Sequence, residues 1–333
     1  MTTAIGTARL GFLGVGWIGR SRMEAIASSG AAQVAAVADP SEDCRRAARA
    51  VAPEAFEVDG LDALLDADLD GLVIATPSAL HAEQSTAALR RGLAVFCQKP
   101  LGRTAPETAD VIAAAREADR LLGVDLSYRH TTAMTAVREL VAGGGIGEVH
   151  AVELMFHNAY GPDKAWFHDP ALSGGGCVID LGIHLVDLLL WVLGFPAVED
   201  VQARRHRGGR RLDPAEAEAE DLCVAQLDVA GGVTARLACS WYLPAGRDAV
   251  IEATFYGSEG AASMHNVDGS FYDFRAERRH GTRTEILVEP PDAWAGRAAA
   301  EWARRLGAGE RYEPEVEHLE QVASTLDRIL GRS

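Results

Sequence analysis

At 333 residues the chain has room for two domains of about 150 residues each, and its 48% hydrophobic and 24% charged fractions exclude a disordered chain. Thirty-two basic against 48 acidic side chains leave a formal charge of −16. Such a surface repels phosphate backbones and anionic lipid, so neither nucleic acid nor membrane is expected as a partner.

The first segment, Met1–Arg9, has neither a basic stretch nor an apolar run, so no export signal is expected. Five widely spaced cysteines without a C-x-x-C argue against a disulfide framework or a structural zinc and for a reducing cytoplasm. Leu10–Val15, Val34–Ala38, Leu72–Ala75, Ala94–Cys97 and Leu121–Leu126 read as buried strands. Helical patterns alternate with them at Trp17–Ser28, Ser41–Val51, Ala79–Arg91 and Ala105–Ala118. That alternation predicts a parallel α/β sheet covered on both faces over residues 1–127. Ser78 is expected to cap one helix, and Thr104 with Glu107 to form a capping box.

Residues 128–333 have another rhythm and are predicted to form a second, α+β domain. Val149–His157, Leu222–Val229, Val233–Trp241 and Val250–Tyr256 are longer and partly alternating, and Gly231-Gly232 marks a hairpin between two of them. The expectation is an antiparallel sheet with one face solvated or covered by a partner. An apolar helix, Cys177–Leu193, interrupts the strands, Ala215–Glu220 reads as a solvated acidic loop, and a last amphipathic helix runs from about 315 to 330 behind Pro314.

The first strand runs into Gly14-Val15-Gly16-Trp17-Ile18-Gly19, a G-x-G-x-x-G that opens a helix, and Asp39 closes the next strand twenty residues after Gly19. Gly14 permits the tight turn, Gly16 lets a pyrophosphate approach bare backbone, and Gly19 lets helix and strand pack closely. Trp17 and Ile18 share that turn and belong to the same cofactor-binding set. Asp39 would accept from both adenine-ribose hydroxyls and repel a 2′-phosphate, which favours NAD and leaves NADP possible. Arg45 and Arg46, a turn into the next helix, are expected in solvent.

Lys99 follows the fifth strand and would project at the nicotinamide end of the crevice. Asp180, His184 and Asp187 stand at i, i+4 and i+7 of an apolar helix, a polar stripe that needs partners or a cleft. Gly174-Gly175-Gly176 before it would let backbone pass close to a ligand. His184 can take and return a hydroxyl proton near neutrality. A metal reading would add His157 or His168 to Asp180 and His184, but the spacing forces no third and fourth ligand, so no metal is expected. The loop from His157 to Asp169, with Trp166 in it, offers polar groups and aromatic faces for a polyhydroxylated ring. Tyr128 and Arg129, just past the last strand of the first domain, are further substrate-binding candidates.

The combination of the glycine motif, Ala75-Thr76-Pro77, Gln98-Lys99-Pro100 and Gly-Gly-Gly…Asp180-x-x-x-His184 resembles the Gfo/Idh/MocA family, which includes glucose–fructose oxidoreductase, inositol dehydrogenase and many sugar dehydrogenases. The resemblance covers essentially the whole chain. It implies a Rossmann domain followed by an α+β domain whose open sheet forms subunit contacts, hence a homodimer or homotetramer. It also implies a catalytic triad of Lys99, Asp180 and His184, with Thr76, Pro77 and His81 flanking the cofactor. One departure stands out: the family's usual glutamate before the lysine is Gln98. The implied activity is NAD(P)-dependent hydride transfer on a cyclic polyol or sugar. The alternatives are an NADP-dependent keto-sugar reductase and a non-catalytic NAD-binding sensor of the same fold.

Overall fold

Leu10 and Phe12 of β1 (Ala8–Leu13) are both fully buried although they are flanked by other buried residues, as a strand in the middle of a doubly covered sheet requires. The computed structural model describes residues 7–332; the expectation for Met1–Arg9 falls mostly on residues 1–6, outside that range. From β1 the chain continues through α1 (Trp17–Ser29), β2 (Ala32–Ala38), α2 (Glu42–Val51), β3 (Phe56–Glu57), α3 (Gly60–Leu65) and β4 (Gly71–Ile74). Then come α4 (Ser78–Arg90), β5 (Ala94–Cys97), α5 (Ala105–Ala118) and β6 (Leu122–Val124). The six strands are parallel and ordered β3-β2-β1-β4-β5-β6, the doubly wound arrangement whose strand order reverses between β1 and β4.

The caps explain where the helices begin. Ser41 accepts from the Cys44 N–H at 3.4 Å, and Thr104 accepts from the Glu107 N–H at 3.3 Å. The Glu107 carboxylate reaches back to the Arg103 N–H at 2.7 Å, one residue earlier than a standard capping box. Ser78 does not cap α4: Pro77, held extended, takes that position, and Ser78 is already the first helical residue.

Packing divides the chain into two units, residues 7–127 with Ala295–Leu319, and Tyr128–Trp294 with residues 320–332. This corrects the assignment of everything after 127 to one domain. The returning stretch brings α9 (Arg297–Gly307) onto the first sheet, where the Trp302 ring lies 5.6 Å from that of Phe96. Two strand glycines make the room. A Cβ on Gly71 or Gly123 would come within 2.9 or 2.8 Å of the Trp302 ring. One face of the sheet thus packs on α1 and α9, and the other packs Leu89, Val111 and Ile112 of α4 and α5.

In the second unit α6 (Thr132–Ala142) precedes β7 (Val149–Asn158), α7 (Pro170–Ser173) and α8 (Ile183–Leu193). The strands β8 (Val198–Arg207), β9 (Arg210–Arg211), β10 (Leu222–Val229), β11 (Val233–Trp241), β12 (Ala249–Gly257), β13 (Gly260–Asn266), β14 (Phe274–His280) and β15 (Arg283–Val288) follow, and α10 (His318–Ile329) comes last. The nine strands order as β15-β14-β13-β12-β7-β11-β10-β8-β9, and only β7 with β11 is parallel. Val229 opposite Val233 closes the hairpin through Gly231-Gly232. The helical run Pro170–Leu193 is long and apolar enough to cross a membrane by composition alone, but 83% of its apolar window is buried inside the unit as core.

Candidate active site

In the first unit the three motif glycines separate by what surrounds them. Gly14 has φ +85° and a Cβ there would stand 2.6 Å from the Ala75 carbonyl oxygen. A Cβ on Gly19 would fall well inside contact distance of the Gly14 carbonyl oxygen. Gly16 has φ −60°, and a Cβ on it would meet no atom within 4 Å. The first two glycines therefore answer to the protein's own packing, and Gly16 does not. What Gly16 leaves open is a cradle at the N-terminus of α1, which has no side-chain cap and no acidic residue in its first turn. Backbone N–H groups and the positive end of the helix fit a pyrophosphate there. Trp17 beside it is 64% exposed, and Ile18 is half-buried.

Asp39 accepts the Val15 N–H at 2.8 Å and the Ser41 N–H at 2.9 Å, one on each carboxylate oxygen. This ties the end of β2 to the glycine turn and leaves further lone pairs for hydroxyl donors. Arg45 is not a solvated side chain as expected. It donates to the Asp39 carbonyl at 2.6 Å and to Glu57 at 2.8 Å. Arg46 is exposed and pairs with Asp43.

Across the switch point, Thr76 donates to Gln84 at 2.6 Å, and Pro77 stands in the N-cap position of α4 without a capping hydrogen bond. His81 is held between two backbone carbonyls. It is 1% exposed, with its ring nitrogens at 2.7 Å from the Thr76 carbonyl and 2.6 Å from the Pro100 carbonyl. Burial lowers its pKa. It acts as a post that fixes the loop after β4 against the residue following Lys99. Lys99 itself is half-buried at the end of β5. The chain contains 30 arginines and only two lysines, Lys99 and Lys164, and that composition is a signal the motif reading did not use.

In the second unit the helix carrying the polar stripe begins with one π-helical turn, Val178–Gly182, which changes the spacing of the stripe. Asp180 accepts from the Trp241 indole N–H at 3.0 Å. The His184 ring is 8% exposed and meets the Tyr128 ring edge-on at 4.8 Å. Tyr128 is packed among Phe156, Phe274 and Trp294, with ring centroids 5.8, 5.7 and 5.2 Å away. Its phenol pKa is raised by burial and further by Asp180 and Tyr272. The ring is thus mainly a wall beside His184.

Asp187 does not join the other two. Arg129 holds it through two of its guanidinium nitrogens, the Nε contact at 2.8 Å. Arg129 is thus ion-paired inside the fold, and its guanidinium lies over Trp191 and Phe195.

His157 shares a 2.8 Å hydrogen bond with the Ser240 hydroxyl, and burial lowers its pKa, so it is a neutral imidazole near pH 7. Trp166 stacks on Phe167 at 3.8 Å, and His168 meets Trp241 edge-on at 5.4 Å. Trp241 and Ser240, which the sequence reading missed as site residues, end β11 beside the end of β7, since the parallel register pairs Ser240 with His157 and Trp241 with Asn158. Among the described residues no group of three or more His, Cys, Asp or Glu side chains could hold a metal ion.

Glu220 corrects the solvated-loop reading of Ala215–Glu220. It is fully buried and accepts the Gly176 and Val178 N–H groups at 3.0 and 2.9 Å. Gly176 is glycine because a Cβ there would strike the Glu220 backbone, so that glycine serves the fold rather than a ligand. Burial raises the Glu220 pKa. The folded form therefore holds the proton more tightly than the unfolded form, a contribution to stability that is full below the ordinary carboxylate range and is lost as pH rises through the raised value. Glu220→Gln is expected to gain thermal stability relative to the parent as pH increases from about 5 to about 9. A difference in melting temperature that stays flat over that range would refute it.

Residues 8–126 match the oxidoreductase family model with the NAD-binding Rossmann fold, and residues 134–263 match the GFO/IDH/MocA C-terminal domain. The chain belongs to the GFO/IDH/MocA oxidoreductase family. It is similar to the dTDP-3,4-didehydro-2,6-dideoxy-alpha-D-glucose 3-reductase of Streptomyces violaceoruber, with 33% identity over 92% of this chain and 89% of that one. It is 28% identical to the D-glucoside 3-dehydrogenase of Escherichia coli over 60% of each chain, so it spans about three-fifths of that relative. Among solved structures, levoglucosan dehydrogenase in complex with NADH shares the fold, with a TM-score of 0.83 at 21% identity over 97% of this chain and 96% of that one.

Proposed function

We propose that this protein transfers a hydride between a nicotinamide cofactor, NAD by preference, and a CH–OH or C=O group of a cyclic polyol or sugar. The observation that carries the reading is the lysine at the end of β5 in a chain that otherwise uses arginine almost throughout. An ammonium is a compact point donor whose proton affinity its surroundings tune, and a guanidinium cannot replace it in that role. The cradle at Gly16 and the Asp39 carboxylate would hold the cofactor.

The nicotinamide supplies the hydride acceptor or donor. Lys99 donates a hydrogen bond to the reacting oxygen and stabilises its developing negative charge. The His184 imidazole takes the hydroxyl proton during oxidation and returns it during reduction. Asp180, held by the Trp241 N–H, orients that exchange or accepts from a neighbouring substrate hydroxyl. Tyr128 walls the site, and His157 and Trp166 offer the sugar ring polar and aromatic contacts.

The names of the two relatives, a glucoside dehydrogenase and a keto-sugar reductase, support a sugar ring. The reductase relative also favours a second reading, NADP-dependent reduction of a keto sugar. Against it stand Asp39, whose charge opposes a 2′-phosphate, and Arg45, whose guanidinium already serves Asp39 and Glu57. Arg129, held by Asp187, offers no cation to a nucleotide-linked sugar.

The test is nicotinamide absorbance with NAD or NADP against inositols, aldoses and aminosugars, and in reverse against keto sugars. One class is expected to reduce NAD with kcat/KM at least about tenfold above NADP, a difference of ~1.4 kcal/mol in transition-state stabilisation. Tight NAD binding without turnover in either direction would instead favour a sensor.

A further inference from the structure

Gln98, where the family's usual residue is glutamate, is not an isolated change. Its amide N–H donates to Asp125 Oδ2 at the end of β6. The same oxygen accepts from Arg22 Nε at 2.5 Å, and Oδ1 accepts from the Ser127 hydroxyl at 2.5 Å. Arg22 Nη2 closes the ring on Ser127 Oγ at 3.1 Å. Asp125, Arg22 and Ser127 are 1%, 8% and 6% exposed, and the Asp125 N–H bonds the Cys97 carbonyl at 2.9 Å. The ring therefore joins α1, which begins at the Gly16 cradle, to the end of β6 and to Gln98, the residue that precedes Lys99 after β5.

The charge count explains the glutamine. The buried ring holds one guanidinium and one carboxylate. A glutamate at 98 would set a second carboxylate against the first, with one cation between them and an acceptor facing an acceptor. We propose that Asp125 supplies the carboxylate that serves Lys99 in this protein, and that Arg22–Asp125–Gln98 is the positioning network for the Lys99 ammonium. Asp125 is a positioning residue here. The charged and titratable groups packed around this strand end within the unit are His81 from α4, Arg22 from α1, Asp125 from β6 and Cys97 on β5. Burial raises the Cys97 pKa to about 12, so it stays a neutral thiol.

The role of Lys99 in turnover rests on the function proposed above, but the network can be tested without a substrate. Trace acetylation of the intact protein, read by mass spectrometry, reports the two lysines separately, with the exposed Lys164 as internal reference. Asp125→Asn removes the carboxylate and leaves Arg22 unmatched, so the Lys99 amine should lose its proton more readily. The Lys99-to-Lys164 modification ratio should rise about threefold, the equivalent of half a pKa unit. Gln98→Glu should lower the ratio by a similar factor. The exchange Gln98→Glu with Asp125→Asn restores one carboxylate and one amide, and its ratio should return to that of the parent. Ratios unchanged in both single variants would overturn the proposal, whatever their melting temperatures. A double variant that behaves like Asp125→Asn would overturn it too. If Asp125→Asn fails to fold, Gln98→Glu and the exchange still decide. If no sugar turns over, the oxidoreductase reading fails and the labelling ratios stand by themselves.

Discussion

Lys99→Ala and His184→Ala are each expected to abolish most turnover while NAD still binds. Removing an electrostatic donor aimed at a developing oxyanion costs about 10²–10³ in kcat, and removing a general acid–base costs about 10²–10⁴. The two losses should not multiply. Groups that act on one oxygen and its proton form a unit, so the double variant is expected within about tenfold of the worse single variant. His184→Ala also empties space beside Tyr128 and Phe156, whose rings lie 4.8 and 6.2 Å from the imidazole. Near-UV circular dichroism would show whether that aromatic cluster survives. Added imidazole should restore part of the activity of His184→Ala and none of that of Lys99→Ala. Turnover within about threefold of the parent in either variant would remove that residue from the chemistry, since it corresponds to less than ~1 kcal/mol.

Much of this site could be read from the residues because its signals are local. A strand running into G-x-G-x-x-G, an acid at the end of the next strand and a lysine before a proline each occupy one short stretch, and the parallel sheet follows from the same alternation. What escaped the reading depends on residues far apart. The apolar face of α9, with Ala298, Ala299, Trp302 and Ala303, announces a buried helix but not which sheet will bury it. The answer lies in the missing side chains of Gly71 and Gly123. Glu220 looks solvated within an acidic run because the groups that require it are backbone N–H groups at 176 and 178, which leave no mark in a sequence. Arg129 and Asp187 are 58 residues apart, and their pairing across that distance is not legible in the sequence. Gln98 was legible as a departure, but its reason, Asp125, was not.

The motif glycines yield a sharper test of the cofactor cradle than deletion of the loop would, because their surroundings predict opposite failures. Gly19→Ala places a methyl group against the Gly14 carbonyl oxygen, and backbone cannot swing aside as a flexible side chain can. The crossing of β1 and α1 must open, at a cost of about 1–3 kcal/mol or more, so melting temperature and NAD affinity should fall together. Gly16→Ala meets no protein atom and needs no positive φ. Its cost to the fold is that of a poorer helix N-cap, within about 1 kcal/mol. A methyl group in the cradle nevertheless stands where a pyrophosphate must approach the backbone N–H groups, and NAD affinity by calorimetry should fall at least about tenfold, or ~1.4 kcal/mol. Intact stability with lost binding would identify the open space at Gly16 as the cofactor's, because no described residue besides its chain neighbours comes within 4 Å of that methyl group. Wild-type affinity in Gly16→Ala would mean that the pyrophosphate does not lie on this turn, and the reading of Asp39 as the ribose acceptor would fall with it.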